Sequence, residues 1–280
     1  MRKLLRANFS RLFRDKLFLV SLALMFVMGT ALQIMHCIDN VKNNENWTPD
    51  ATCFVFAVFV PILLSLITAL FIGSDYSDGT MRNKLIVGHK RHCIYLANLI
   101  VIAAAGILLS ISYILPHTVL GFLLFGGFVT QPSVLLLYTG VNFALMIAYS
   151  SLFVLTSMLS QSKANTTAMC ILLAFVLLFV GVYLTSALNE PEYYSGYVFT
   201  ADGVTTSEDS EKNPNYVGGK KREVYEFLQE FTPGGQELLS SNMTAENPAM
   251  LALYDGIILL VSTGVGIVLF RRKDLKQYLN

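Results

Sequence analysis

Residues 17–38 read Leu-Phe-Leu-Val-Ser-Leu-Ala-Leu-Met-Phe-Val-Met-Gly-Thr-Ala-Leu-Gln-Ile-Met-His-Cys-Ile, a run without one Asp, Glu, Lys or Arg. A bilayer core is roughly 30 Å thick, and a helix crosses it in about 20 residues. Backbone N–H and C=O groups in lipid have no water to bond, so a lone apolar segment of this length must be helical. Five further runs of similar character follow: Ala51 to Ile72, Ile94 to Leu115, Val134 to Met158, Ala168 to Leu188 and Leu253 to Phe270. The fold class is therefore an all-α integral membrane protein with six transmembrane helices. Composition agrees: 54% of residues are hydrophobic and 14% charged, against roughly 25% charged in a soluble domain.

The basic residues orient the chain. If the N-terminus is cytoplasmic, fifteen of the 20 Lys and Arg residues fall inside. They lie at Arg2, Lys3, Arg6, Arg11, Arg14 and Lys16, at Arg82, Lys84, Lys90 and Arg91, at Lys163, and at Arg271, Arg272, Lys273 and Lys276. Only Lys42, Lys212, Lys220, Lys221 and Arg222 fall outside. The positive-inside rule selects this arrangement, with both termini cytoplasmic. The first apolar run is too long for a signal-peptide core and no small-residue cleavage site follows it, so it reads as a retained span.

The expected division is an amphipathic interfacial helix at 1–16, spans one to five over 17–188 with a cytoplasmic loop at 73–93, an outer insert at 189–252, the sixth span at 253–270 and a tail at 271–280. In the first segment Leu5, Phe9, Leu12 and Phe13 share one helical face. Lys3, Arg6 and Arg14 lie toward the other side, which suits a helix resting on anionic lipid or a plain topology signal. Trp47 fits an interfacial aromatic belt, and Asn46-Trp47-Thr48 is a glycosylation sequon with meaning only in a eukaryotic secretory context. The third run continues past Leu115 to about Val129. Pro116 is expected to kink or end it, leaving a segment with Gly121, Gly126 and Gly127 that is either re-entrant or set in the outer leaflet.

The insert carries turn signals at Gly218-Gly219 and Pro233-Gly234-Gly235. Between them Val224, Phe227, Leu228 and Phe231 make a helical stripe. Tyr193, Tyr194 and Tyr197 suit an interfacial belt, and Thr205 to Asn215 reads as a polar, mobile middle. Eleven acidic residues against four basic ones make the insert negative, which attracts cations or is a solvated surface.

Several chemistries are missing. There is no G-x-x-x-x-G-K-[ST], since Gly218-Gly219-Lys220 lacks both the spacing and the hydroxyl, and there is no H-E-x-x-H. The spans read as nearly free of charge, with Asp255 at the outer end of the last one and no paired intramembrane carboxylates. That disfavours an ion-coupled carrier. His36 and His117 read as interfacial or packing residues; His89 and His92 sit in a loop without companion ligands. Cys37, Cys53, Cys93 and Cys170 have no metal-type spacing. Cys37 and Cys53 both fall near the outer face, where a disulfide and two buried apolar thiols are the alternatives.

Residues 73–93 read Gly-Ser-Asp-Tyr-Ser-Asp-Gly-Thr-Met-Arg-Asn-Lys-Leu-Ile-Val-Gly-His-Lys-Arg-His-Cys. Asp78-Gly79 is a turn signal. Thr80 is expected to cap a short helix through Ile86 that ends at Gly88. A short helix held parallel to the membrane between two spans is a lever for a soluble partner.

Asp75-Tyr76-Ser77-Asp78-Gly79-Thr80-Met81-Arg82-Asn83-Lys84-Leu85, with Gly88 and Arg91 to Tyr95 after it, resembles the loop signature of ABC-2-type transporter permeases. The basic N-terminal helix is similar to their elbow helix, the insert with Pro233-Gly234-Gly235-Gln236 to their outer loop, and Phe270-Arg271-Arg272-Lys273-Asp274-Leu275 to their ending. The resemblance implies a six-span permease that dimerises with a second copy or a paralogue in a bacterial plasma membrane and rests on separate ATP-binding subunits. It implies that Asp75, Tyr76, Gly79, Thr80, Arg82, Asn83, Lys84 and Leu85 couple to that subunit. ATP and magnesium would sit on the partner, and this chain would bind no cofactor, metal or nucleic acid and do no covalent chemistry. The pathway is then expected to be apolar and lined by residues such as Phe54, Phe56, Phe59, Phe143 and Tyr149, for an amphipathic peptide, lipid or drug. The alternative is a non-transporting sensor or immunity protein that binds a ligand through its outer insert.

Overall fold

The structure, a computed structural model, describes residues 1–160, 162–200 and 203–273, with the backbone alone over 195–200 and 203–211. Residues 274–280, which include Asp274, Leu275 and Lys276, and the side chain of Tyr197 lie outside that description.

Among the described residues, six helices are long and apolar enough to cross a membrane. They are α2 (Lys16–Asn43), α3 (Phe56–Ser77, with the 3-10 turn Pro49–Thr52 ahead of it), α5 (Arg91–Phe125), α6 (Pro132–Leu159), α7 (Lys163–Asn189) and α10 (Pro248–Arg272). The chain is thus a multi-pass membrane protein. Shorter elements join them: α1 (Arg2–Leu12), α4 (Thr80–Ile86), the strands β1 (Tyr193–Thr200) and β2 (Gly203–Lys212), α8 (Lys220–Phe231) and α9 (Pro233–Ser241).

The most buried spans, α3, α5 and α6, form the centre, while α2 lies against α5, α7 against α3 and α10 against α6. Lipid is as apolar as leucine, so burial alone does not bring these helices together; close backbone approach and interhelical hydrogen bonds do. Gly29 of α2 lies against the Tyr113 carbonyl of α5, and Gly266 of α10 against the Tyr95 ring of α5. Ser112 donates to the Leu22 carbonyl at 2.8 Å, and Ser262 of α10 to Ser151 of α6 at 2.6 Å. Large aromatic side chains, among them Tyr95, Tyr113 and Phe153, fill the space between.

Pro116 does not end its helix. α5 runs 35 residues straight through it, roughly 50 Å at about 1.5 Å per residue. Burial on both sides of the proline holds it in place: Tyr113 and His117 are fully buried and stack at 5.3 Å. The helix stops at Gly126 instead, and the following loop is pinned where Asp50 accepts from the Val129 and Thr130 amides, both at 2.9 Å. The segment after Pro116 is therefore neither re-entrant nor separate.

Two other expectations change. Much of the polar stretch from Thr205 lies in β2, which pairs antiparallel with β1, so it is ribbon rather than loose chain as far as Lys212. The Pro233-Gly234-Gly235 signal opens the buried helix α9 and not a surface turn. All four cysteines are free, which removes the disulfide alternative at Cys37 and Cys53. Trp47 stacks on His36 at 4.7 Å, with its backbone clasped at both ends by Asn40.

Candidate functional site at the termini end

The N-terminal helix, the α3–α5 connection and the end of α10 meet at one end of the bundle. Asp75, in the last turn of α3, organises the junction. Its side chain is fully buried, and its two carboxyl oxygens take two different cations: Arg11 from α1, and Lys84 from α4 at 2.6 Å. Arg11 also donates to the Phe71 carbonyl and lies over the Phe71 ring at 3.7 Å. One residue therefore fixes two elements that the sequence places on either side of it.

Its neighbour Tyr76 ties in a third part. The Tyr76 hydroxyl donates to the Met158 carbonyl at 2.8 Å, closing α3 on the end of α6. Lys273 donates to the Met158 and Ser160 carbonyls at 2.8 and 3.0 Å and lies 4.7 Å over the Tyr76 ring. Burial pulls the Lys273 ammonium down to about 8. Arg91 at the start of α5 donates to the Phe270 carbonyl at 2.9 Å, satisfying the end of α10. Asn8 of α1 donates to Asn98 of α5 at 2.8 Å inside the same region.

α4 itself is set by two glycines. Gly79 precedes it at φ +67° and Gly88 follows at φ +92°, backbone that side chains with a Cβ adopt at a cost. Gly79, rather than Thr80, holds the cap position, and no side chain caps the helix; Thr80 is its first residue. At the far end the His89 amide reaches the Lys84 carbonyl at 3.1 Å and the Gly88 amide the Leu85 carbonyl at 2.9 Å, a left-handed glycine closure. Met81 is buried, Lys84 and Leu85 are half-buried, and Arg82, Asn83, Ile86 and Val87 are exposed.

The expected coupling residues thus divide in two. Asp75, Tyr76, Lys84 and Leu85 face their own chain and set the position of α4. Arg82 and Asn83, with Gly79 and Thr80 beside them, lie on its accessible side. Sequence reasoning missed Ile86 and Val87, the most exposed apolar pair on this surface; the helical period of a seven-residue element was too short to reveal them. On α1 the buried face is Leu4, Asn8 and Leu12, which shares only Leu12 with the stripe expected. Leu5 and Phe9 are half-buried and Phe13 is exposed, because the helix docks sideways through Asn8.

The five aromatics expected along a pathway do not line one path: Phe54 and Phe56 pack on each other at 6.1 Å, and the others lie apart from that pair. Phe54, Phe56 and Tyr149 are packed in the core, Phe54 against Tyr138 at 5.8 Å and Tyr149 against Phe153 at 5.5 Å. Phe59 is exposed and Phe143 half-buried.

At the insert end, α9 is wedged against α7, α3 and α6. A Cβ at Gly234 would overlap the Leu177 carbonyl, and one at Gly181 the Gly234 carbonyl. The approach carries Glu237 inside the bundle, where burial raises its carboxyl well above the usual range. The Tyr149 hydroxyl of α6 faces it. Asp255 is buried too. Glu237, distant from any apolar run in sequence, is delivered into the bundle by α9. α8 presents Val224, Phe227 and Leu228 outward, with Phe227 and Phe231 packed on Tyr254 of α10 at 6.1 and 5.6 Å.

No family model matches the chain, and no curated protein matches it.

Proposed function

We propose that this chain is the membrane subunit of an ATP-driven exporter of the ABC-2 type, with the exposed side of α4 as the surface that a separate ATP-binding subunit drives. The buried Asp75 hub carries the reading. A soluble motor can move a membrane domain only through an element that is accessible on one side and firmly joined to the spans on the other. α4 has both properties: Arg82, Asn83, Ile86 and Val87 outward, Asp75 and Lys84 inward. Through the same carboxylate, a push on α4 reaches α1 and α3 together. In this reading the termini end is cytoplasmic, two permease subunits pair within a bacterial plasma membrane, and nucleotide and magnesium stay on the partner. The substrate is amphipathic. The sensor or immunity alternative gains nothing from an accessible, tethered α4.

The test is purification of the tagged chain in mild detergent from its native membrane, with mass spectrometry and an ATPase assay on the eluate. A stoichiometric ATP-binding subunit is expected. Arg82→Glu and Ile86→Asp should each reduce its capture at least about tenfold, since a reversed or newly buried charge in an interface costs about 2 kcal/mol or more. The chain emerging without such a subunit, or both variants retaining it in full, would overturn the reading.

A further inference from the structure

Beyond α7 the insert encloses a cleft of about 780 Å³, inside the range of roughly 300–1,000 Å³ typical of small-molecule sites. The end of α7, α8, α9 and the chain leading to α10 wall it. These walls are fixed to one another. Gln229 of α8, buried and lining the cleft, donates to Thr185 of α7 at 2.8 Å. Gln236 of α9 donates to the Glu230 carbonyl at 2.8 Å. A Cβ at Gly235 would overlap the Gln229 carbonyl, so α8 and α9 meet at a close corner. The cleft is therefore shaped before anything enters it, which lowers the cost of binding.

Two chemistries line it. Leu188, Phe227 and Leu238 make an apolar wall, one residue from each of α7, α8 and α9. Glu226, Glu230 and Glu246 bring carboxylates to the same cleft, and Arg222 is the one basic residue that lines it among the described residues. Arg222 is engaged by Glu226 at 2.8 Å. Among the described residues Glu230 and Glu246 form no salt bridge. Burial, then the Glu246 and Glu226 carboxylates, push the Glu230 carboxyl up, as happens where negative charge outweighs positive. The carboxylates do not converge: among the described residues no three His, Cys, Asp or Glu side chains gather closely enough to hold a metal ion. Spread negative charge beside an apolar wall suits an organic cation, whose charge and body are separate, rather than a bare ion.

We propose that this cleft binds an amphipathic organic cation, with an ammonium group held by Glu230 and Glu246 and an apolar body resting on Leu188, Phe227 and Leu238. The site stands without the exporter reading, because binding is a property of this chain alone and needs no motor.

The probe is dansylcadaverine, an apolar fluorescent ring system carrying a primary ammonium, titrated onto the purified full chain in maltoside detergent. Dansyl emission shifts to shorter wavelength in an apolar site, and micelles without protein give the background. Saturable binding at one site per chain is expected. The double variant Glu230→Gln, Glu246→Gln should weaken it at least about tenfold, through loss of both charge contacts. Dansyl amide, which lacks the ammonium, should bind wild type and double variant equally and more weakly. Leu238→Ala should weaken dansylcadaverine about threefold or more through lost apolar contact. Glu223→Gln removes a charge from α8 outside the cleft lining and should leave the affinity unchanged, which separates a site from the general negative charge of the insert. Glu246 is exposed, so Glu246→Gln alone, with about a threefold loss expected, carries the test should the double variant fail to fold. Absence of saturable binding, equal affinity in wild type and these Glu→Gln cleft variants, or equal affinity for the two probes would overturn the proposal. So would displacement of the probe by micromolar calcium chloride, which would make the cleft a metal site.

Discussion

Asp75 holds a different cation on each oxygen, and its side chain joins three elements: α3 by sequence, α1 through Arg11 and α4 through Lys84. A buried ion pair is weak evidence of net stability, because desolvation offsets most of the attraction, yet breaking one leaves an uncompensated charge. Arg11 is about a third exposed and recovers some hydration when Asp75 is lost, whereas Lys84 is mostly covered. Asp75→Asn should therefore cost about 2–4 kcal/mol, at the lower side of what is seen for fully buried pairs. A thermal melt in detergent measures the loss. Adding Arg11→Gln to Asp75→Asn should cost less than Arg11→Gln alone, since one carboxylate serves both. Additive losses would mean that the hub is not a hub. Limited trypsin digestion gives a second reading, because freeing α4 should speed cleavage at Arg82 and Lys84. Asp75 was legible as part of a motif, but its role was not. Nothing in a local pattern says that a carboxylate three residues before a turn is sealed from solvent by a helix sixty residues upstream.

At the level of elements, α9 shows where reading a chain as though it were in water fails. Pro-Gly-Gly marks a turn in a soluble protein. Inside a helix bundle the same small residues let two backbones approach closely, and Gly234 and Gly181 meet with no room for a Cβ on either. Gly234→Ala should accordingly push α9 off α7 rather than merely stiffen it. The expected cost is about 1–3 kcal/mol, typical of overpacking, and the displacement should expose Glu237. Hydrogen exchange over 233–241 would report it as faster exchange in the variant, with α1 and α4 unchanged. Unchanged exchange in α9 would show that the neighbouring backbone yields without moving the helix. Pro116 teaches the converse. Its breaker signal was plain, but packing by Tyr113 and His117 overrides it. Long apolar runs were legible because lipid leaves them one conformation; short elements were not, because their placement depends on partners elsewhere in the chain.

For the whole molecule, the six spans and their order followed from hydropathy, and the structure assembles them with α1 and the end of α10 at one side: Arg11 meets Asp75 there, and Arg91 meets the end of α10. Arg82, Lys84, Lys90 and Arg91 gather at that side, with Lys163 beside Gly73 and Lys273 on the Met158 and Ser160 carbonyls. The acidic insert lies at the other. Basic residues near span ends are retained on the cytoplasmic side during insertion, and on that ground the orientation we propose puts the Asp75 hub inside and the acidic cleft outside. The buried Glu237 escaped the reading because hydropathy reports what surrounds a segment along the chain, and α9 is carried into the bundle by contacts across it. The orientation has a direct check. In a chain with its four cysteines replaced by serine or alanine, Lys221→Cys should react with a membrane-impermeant maleimide on intact cells. Arg82→Cys should react only after the membrane is opened. Both sites are exposed, so failure to label cannot come from burial. The opposite pattern would invert the molecule, put α4 outside, and remove the basis for a cytoplasmic motor acting on it.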